Sequence, residues 1–177
     1  VENERARLMN AKAGLAQTIE VVDGSFEELP FGDGAFDLVW SQDALLHSGD
    51  RHAALKEAVR VMRKGTEFVF TDPMQSDDDC DLALLTPILS RIHLSTLGSP
   101  QFYEREADAL GLELLAFEQH RAQLVTHYRR VLDETRRREA ELQQTVTPEY
   151  LQRMTTGLND WIRGGREEII TWGIFHR

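Results

Sequence analysis

The chain has 177 residues, 41% of them hydrophobic, enough to bury one core and too few for two comfortable domains. Its 20 basic and 30 acidic side chains leave a formal net charge of −10, a surface that repels nucleic acid and anionic membranes. The single cysteine, Cys80, excludes a disulfide framework and a thiolate metal cluster and predicts a reducing, cytoplasmic setting; no apolar run reaches membrane-spanning length, and none reads as a leader.

In chain order, Glu2 to Ala13 is charged and alanine-rich, a helix closed by Gly14. Thr18 to Val22 is β-branched and apolar and predicts a short strand, ended by Asp23-Gly24-Ser25. After the turn residues Gly32 to Gly34, the short apolar run Phe36 to Trp40 predicts a strand buried on both faces. Polar chemistry follows at its carboxyl end, where ligands of open α/β sheets bind: Ser41, Gln42, Asp43 and His47. If residues 43 to 47 form a helical turn, Asp43 and His47 share one face and suit proton handling. The spacing serves equally well a capping Asp43 with a packed or solvated His47.

Asp50 then caps a helix with Leu55, Ala58, Val59 and Met62 as its buried stripe, stopped by Lys64-Gly65. Glu67 to Thr71 is the next strand, and this βαβ alternation predicts a parallel, doubly wound sheet. Asp72-Pro73 at its end is either a second carboxylate on the rim of Asp43 or a plain turn aspartate. Gln75 to Asp81 is an acidic loop. Thr86-Pro87 and Ser99-Pro100 each read as an N-cap and first helical residue, and Gly111 closes the second helix. Leu112 to Glu118 predicts a strand, and a long helix follows from Arg121 to about Gln144, with Leu124, Tyr128, Val131, Leu132 and Leu142 on one side. Its Arg136-Arg137-Arg138 run, set among glutamates, is a solvated face. Thr147-Pro148 opens a helix that Gly164 and Gly165 break, and Ile169 to Phe175 is the last strand. No residue set points to a metal.

Two tiers of motif carry a resemblance. Glu28-Leu29-Pro30-Phe31, Phe36-Asp37-Leu38-Val39 and Leu46-His47 resemble the central part of class I S-adenosyl-L-methionine-dependent methyltransferases. Ser41-Gln42-Asp43-Ala44-Leu45-Leu46-His47-Ser48, Thr71-Asp72-Pro73-Met74 and Trp161-Ile162-Arg163-Gly164-Gly165-Arg166, continuing to Thr171-Trp172-Gly173, resemble sarcosine/dimethylglycine N-methyltransferases, over nearly the whole chain.

The resemblance implies an α/β fold, a Rossmann-like methyltransferase sheet lacking its first two strands, with an added C-terminal helical segment. Residues 1–177 then form the C-terminal part of a single methyltransferase domain. The chain holds no Gly-x-Gly-x-x-Gly after a strand, so alone it is expected to bind cofactor poorly and to expose strand edges that favour a homo-oligomer. The implied activity is S-adenosyl-L-methionine-dependent methylation of sarcosine and dimethylglycine to glycine betaine. Methylation of phosphobases or lipids, and a non-catalytic assembly surface, are the other readings. The implied catalytic residues are Asp43 and His47. Ser25, Phe26 and Gln42 would meet the cofactor, though Ser25 stands where relatives often carry an acid. A carboxylated amine would draw on Asp72, Arg91, Tyr103, Arg121 and Trp172.

Overall fold

The strand β1 (Phe36–Gln42) begins just after Gly34, whose φ of +63° turns the chain. In the computed structural model, which describes residues 2–177, it is preceded by α1 (Glu2–Lys12) and an irregular arm. Asp50 caps α2 (Arg51–Val61) by accepting the Ala53 N–H at 3.0 Å. This helix returns the chain to β2 (Met62–Gln75), which pairs parallel to β1 from Leu38↔Glu67 to Gln42↔Thr71. The expected βαβ unit is therefore present.

The sheet then changes character. After α3 (Leu82–Ser90), α4 (Pro100–Ala109), β3 (Ala116–Gln119), α5 (Arg121–Arg137), α6 (Glu139–Leu142) and α7 (Pro148–Arg166), the last strand β4 (Ile170–His176) inserts between β2 and β3. It is antiparallel to both, so the order is β1-β2-β4-β3 and the sheet is mixed rather than wholly parallel. The parallel pair β1–β2 is a single crossover, β4 alone runs the other way, and β3 runs in the direction of β1 and β2. Pro73 lies inside β2, which a proline seldom tolerates. The Phe68–Arg177 exchange of hydrogen bonds sets the alternation, so residue 73 faces the β1 side, where β1 has already ended. Its missing N–H costs the ladder nothing.

Two cores flank this sheet. Phe68, Phe70, Phe175 and Tyr103 form an aromatic cluster, with Phe70 and Phe175 stacked at 4.7 Å between centroids. Leu85, Ile88, Leu89, Trp161 and Ile170 form the second, where the Trp161 Nε1–H donates to the Ile88 carbonyl at 2.8 Å.

Several local expectations give way to tertiary context. Thr18 to Val22 is not a strand; with no neighbour to pair with, Ile19 and Val22 stand exposed, and Arg7 of α1 clasps the Val21 carbonyl at 2.9 Å. Phe36 to Trp40 is not buried on both faces. It is the edge of the sheet, and Leu38 and Trp40 are 52% and 59% exposed. Helix α2 ends at Val61, and Gly65 sits within β2 at φ +77°, where the register with β1 slips. The helix placed at Thr86-Pro87 starts earlier, capped by Asp81, with Pro87 inside it. The strand placed over Leu112 to Glu118 is confined to Ala116–Gln119, and the helix from Arg121 breaks at Arg138.

Gly164 and Gly165 do not break α7 but lie within it, because α7 packs tightly there. A Cβ on Gly164 would stand 2.5 Å from Ile88 Cδ1, and one on Gly165 2.6 Å from Val125 Cγ2. Gly164→Ala is therefore expected to destabilise by about 1–3 kcal/mol through overpacking, despite the better helix propensity of alanine. A thermal melt that rises instead would show that Ile88 yields without cost.

Candidate active site

The carboxyl ends of β1 and β2 place Asp43 at the rim of the sheet, in a left-handed conformation with φ +48°. Asparagine and aspartate tolerate this region better than most residues. Three hydrogen bonds hold the residue there. Its N–H donates to the Thr71 carbonyl at 2.9 Å, while the Thr71 hydroxyl and the Trp172 indole N–H both donate to Oδ1 at 2.8 Å. Oδ2 has no partner among the described residues and is the free oxygen of an exposed carboxylate that lines a cavity.

Asp43, Gln42, Pro73, Trp172 of β4, and His127 and Tyr128 of α5 surround a cavity of about 300 Å³. A carboxylate at the mouth of aromatic walls can hold an amine: the anion attracts the ammonium, and ring faces favour positive charge. Burial pushes the Tyr128 phenol above its ordinary pKa, opposed by the adjacent Arg91 cation and reinforced by Asp43.

The turn that follows is fastened from below. Leu45–His47 is a 3₁₀ turn, and the Leu46 N–H donates to Asp72 Oδ1 at 3.2 Å. Tyr103 donates its hydroxyl to Asp72 Oδ2 at 2.5 Å, and Arg51 reaches the Leu46 and Thr96 carbonyls at 3.1 and 2.7 Å. Burial pushes the Asp72 carboxyl up to about 7, against the pull of Tyr103, the Leu46 N–H and Arg51.

Of the residues singled out from sequence, Asp43, Gln42 and Trp172 meet in one cavity. Asp43 and His47 do not share a helical face, since Asp43 precedes the short turn and points to Trp172. His47 stands exposed outside the cavity. Asp72 and Tyr103 are not surface groups for a substrate: both are fully buried and bonded to each other. Arg121 is engaged with Glu168 at 2.5 Å. Arg91 lies behind Tyr128, its guanidinium carbon 5.7 Å from the ring centroid. Ser25 accepts the Glu27 N–H within its own loop, and Phe26 is partly exposed beside it.

His127 and Gln123 escaped the sequence reading. The signal was there in weak form: they flank Leu124 and Tyr128, the buried stripe of α5, at positions next to the core face.

Comparison with known proteins bears on this arrangement. Residues 2–70 match the family described as Methyltransferase domain. The chain is 54% identical to the sarcosine/dimethylglycine N-methyltransferase of Halorhodospira halochloris, over 99% of this chain and 62% of that protein. It is 50% identical to the enzyme of the same name from Aphanothece halophytica, over 100% of this chain and 64% of that one. A solved structure from Galdieria sulphuraria, described as a candidate sarcosine dimethylglycine methyltransferase, superposes with a TM-score of 0.91 at 39% identity, covering 98% of this chain and 64% of that one. The chain thus spans about three fifths of the length of the relatives it matches. In fold it is similar to the class I methyltransferases, and over nearly its whole length its sequence is similar to relatives named sarcosine/dimethylglycine N-methyltransferase.

Proposed function

We propose that this chain carries the amine site of an S-adenosyl-L-methionine-dependent N-methyltransferase that acts on sarcosine and dimethylglycine toward glycine betaine. The observation that carries the reading is the free Oδ2 of Asp43, held by Thr71 and Trp172 at the mouth of the cavity walled by Tyr128 and His127. Likeness to relatives of that name over almost the whole chain supports it. Residues 1–177 would then be part of one methyltransferase domain.

S-Adenosyl-L-methionine supplies the sulfonium methyl in this chemistry. Gln42 fits a role beside it, since its amide is exposed at the carboxyl end of β1 next to Asp43; Phe26 offers an exposed ring, and Ser25 is turned to its own loop. The other tasks fall to the site's own residues. The amine nitrogen must present its lone pair unprotonated, and Oδ2 of Asp43 orients the incoming ammonium and draws its proton. His127, across the same cavity, takes the proton onward to solvent. As the nitrogen gains charge, the Trp172 and Tyr128 faces and the Asp43 anion favour it. Fixing Asp43 through Thr71 and Trp172 places the nitrogen before reaction, which saves the cost of ordering it later. His47, exposed on the neighbouring turn, is kept as a candidate to be separated from His127 by mutation.

Completing the chain with the portion of the Halorhodospira halochloris relative that lies outside the match gives a testable enzyme. Its products from sarcosine, dimethylglycine and phosphoethanolamine are expected to be dimethylglycine, glycine betaine and nothing, in that order. Methylation of phosphoethanolamine alone would sink the assignment.

The open edge of β1 bears on partners. It displays unpaired backbone groups beside Leu38 and Trp40, a template for pairing with a second copy. Light scattering on the chain is expected to find self-association that Trp40→Lys abolishes; a monodisperse monomer in both cases would contradict this.

A further inference from the structure

A second concavity lies apart from the amine cavity, between the carboxyl end of α3 and the outer face of α7. It measures about 500 Å³ and is lined by Arg91, His93, Arg153, Gly157 and Asp160, among others. Arg91 is the member the fold has fixed in place. The residue is half-buried, and its aliphatic stem lies on the surface of α7 where Gly157 leaves a notch. A Cβ at 157 would stand 2.6 Å from Arg91 Cδ, 2.8 Å from its Cβ and 2.9 Å from its Cγ. On the other side, the guanidinium meets the Tyr128 ring at 5.7 Å. A flexible cation has thus lost much of its freedom before any ligand arrives.

The charge balance of this groove is opposite to that of the molecule. The chain as a whole carries −10, yet neither Arg91 nor Arg153 makes an ion pair among the described residues. The lining carboxylate, Asp160, is paired with Arg163 at 3.2 Å. His93 adds a third nitrogen group from a left-handed position at φ +57°. A planar guanidinium held in place and engaged in no ion pair among the described residues is the side chain best suited to a forked grip on a carboxylate or phosphate.

We propose that the α3–α7 groove is an oxyanion-binding site anchored by Arg91, with Gly157 as the positioning residue that seats the arginine and Arg153 as the second cation. Its ligand is a small carboxylate or phosphate. The source is either the carboxylate end of the amine substrate, in which case the site extends the proposed function through Tyr128, which lines the amine cavity and packs against Arg91, or a separate free anion.

Calorimetric titration of the chain with inorganic phosphate in chloride-free buffer tests the site without reference to methylation. Saturable one-to-one binding is expected. Arg91→Gln should weaken it by about tenfold or more, the usual scale for a hydrogen bond to a charged group. Gly157→Ala, which keeps every charge, should weaken it as well, because it displaces the stem. Arg129→Gln, an exposed arginine outside the groove, should leave the isotherm unchanged. No saturable binding, or binding that survives both Arg91→Gln and Gly157→Ala, overturns the site. Two further arms identify the source. If dimethylglycine displaces phosphate and N,N-dimethylethanolamine does not, the anion is the substrate's carboxylate; if neither competes, it is a separate ion. Asp43→Asn leaves the phosphate isotherm in place, so failure of the amine assignment and failure of this site are told apart.

Discussion

Asp43→Asn, made in the completed enzyme, is expected to lower turnover on dimethylglycine on the order of 10²-fold, the scale of a lost proton-handling group. The substitution is well isolated by the geometry. An asparagine carbonyl can still accept from Thr71 and from the Trp172 indole, and asparagine also tolerates the positive φ at this position. Only the charge and the accepting capacity of Oδ2 are lost, so the melting temperature should scarcely move. His127→Ala is expected to lower turnover, since its ring lines the same cavity. His47→Ala is expected to leave turnover within about a factor of three, as its ring lies outside that cavity; general-base losses run far larger. Full turnover in Asp43→Asn would mean the carboxylate is a fastening for the loop and nothing more.

The second large effect is on stability and belongs to Asp72. The carboxyl starts from 3.8 when free and is pushed up to about 7 by burial under Tyr103 and the 45–47 turn. Between those two values the folded chain binds a proton that the unfolded chain has released. Stability from this group is therefore fully present below pH 3.8 and is lost as pH rises through about 7. The gap corresponds to about 4 kcal/mol, and full burial leaves little solvent to screen it. Other carboxylates run the opposite way: Glu57 is held down to about 2 by its hydrogen bond to Arg60, so it favours the fold as pH rises. The comparison to make is with Asp72→Asn, which mimics the protonated group. Its carbonyl accepts from Leu46, and its amide donates to Tyr103. Urea unfolding at pH 4, 6 and 8 is expected to give nearly equal stability at pH 4 and a growing advantage to the variant above pH 6. Parallel curves for the two proteins would show that Asp72 stays ionised in the fold.

What was legible in the sequence was what is decided within a few residues. Asp50, Ser99 before Pro100, and Thr147 before Pro148 each cap the helix they were expected to cap, with the side chain accepting from the third N–H on. Gly14 and Gly111 sit at positive φ where they close helices. The strand–helix–strand unit around Asp43 was likewise readable, since the apolar run, the cap and the stripe all agree. The rest depends on partners distant in the chain. The indole that grips Asp43 is 129 residues away, and spacing within 41–48 suggested His47 instead. Asp43 lies just past the end of β1 and Asp72 within β2, so one meets solvent while the other shares the buried face of Phe68, Phe70 and Met74; that β2 runs on past Asp72 to pair with β4 leaves no local mark. Gly164 and Gly165 looked like a break because their contacts with Ile88 and Val125 belong to other helices. Phe36 to Trp40 looked buried because alternation cannot reveal that a strand has a neighbour on one side only.

The central claim, that an amine docks at Asp43, is tested most directly by the indole N–H resonance of Trp172, whose proton is bonded to Asp43 Oδ1. Two-dimensional ¹H–¹⁵N spectra of the chain, titrated with dimethylglycine, are expected to show that signal moving saturably. The Trp161 indole, bound to the Ile88 carbonyl in the core, should stay still. Phosphoethanolamine should move neither, and Asp43→Asn should abolish the dimethylglycine response. A Trp172 signal indifferent to dimethylglycine, or one that responds equally in Asp43→Asn, would contradict the account.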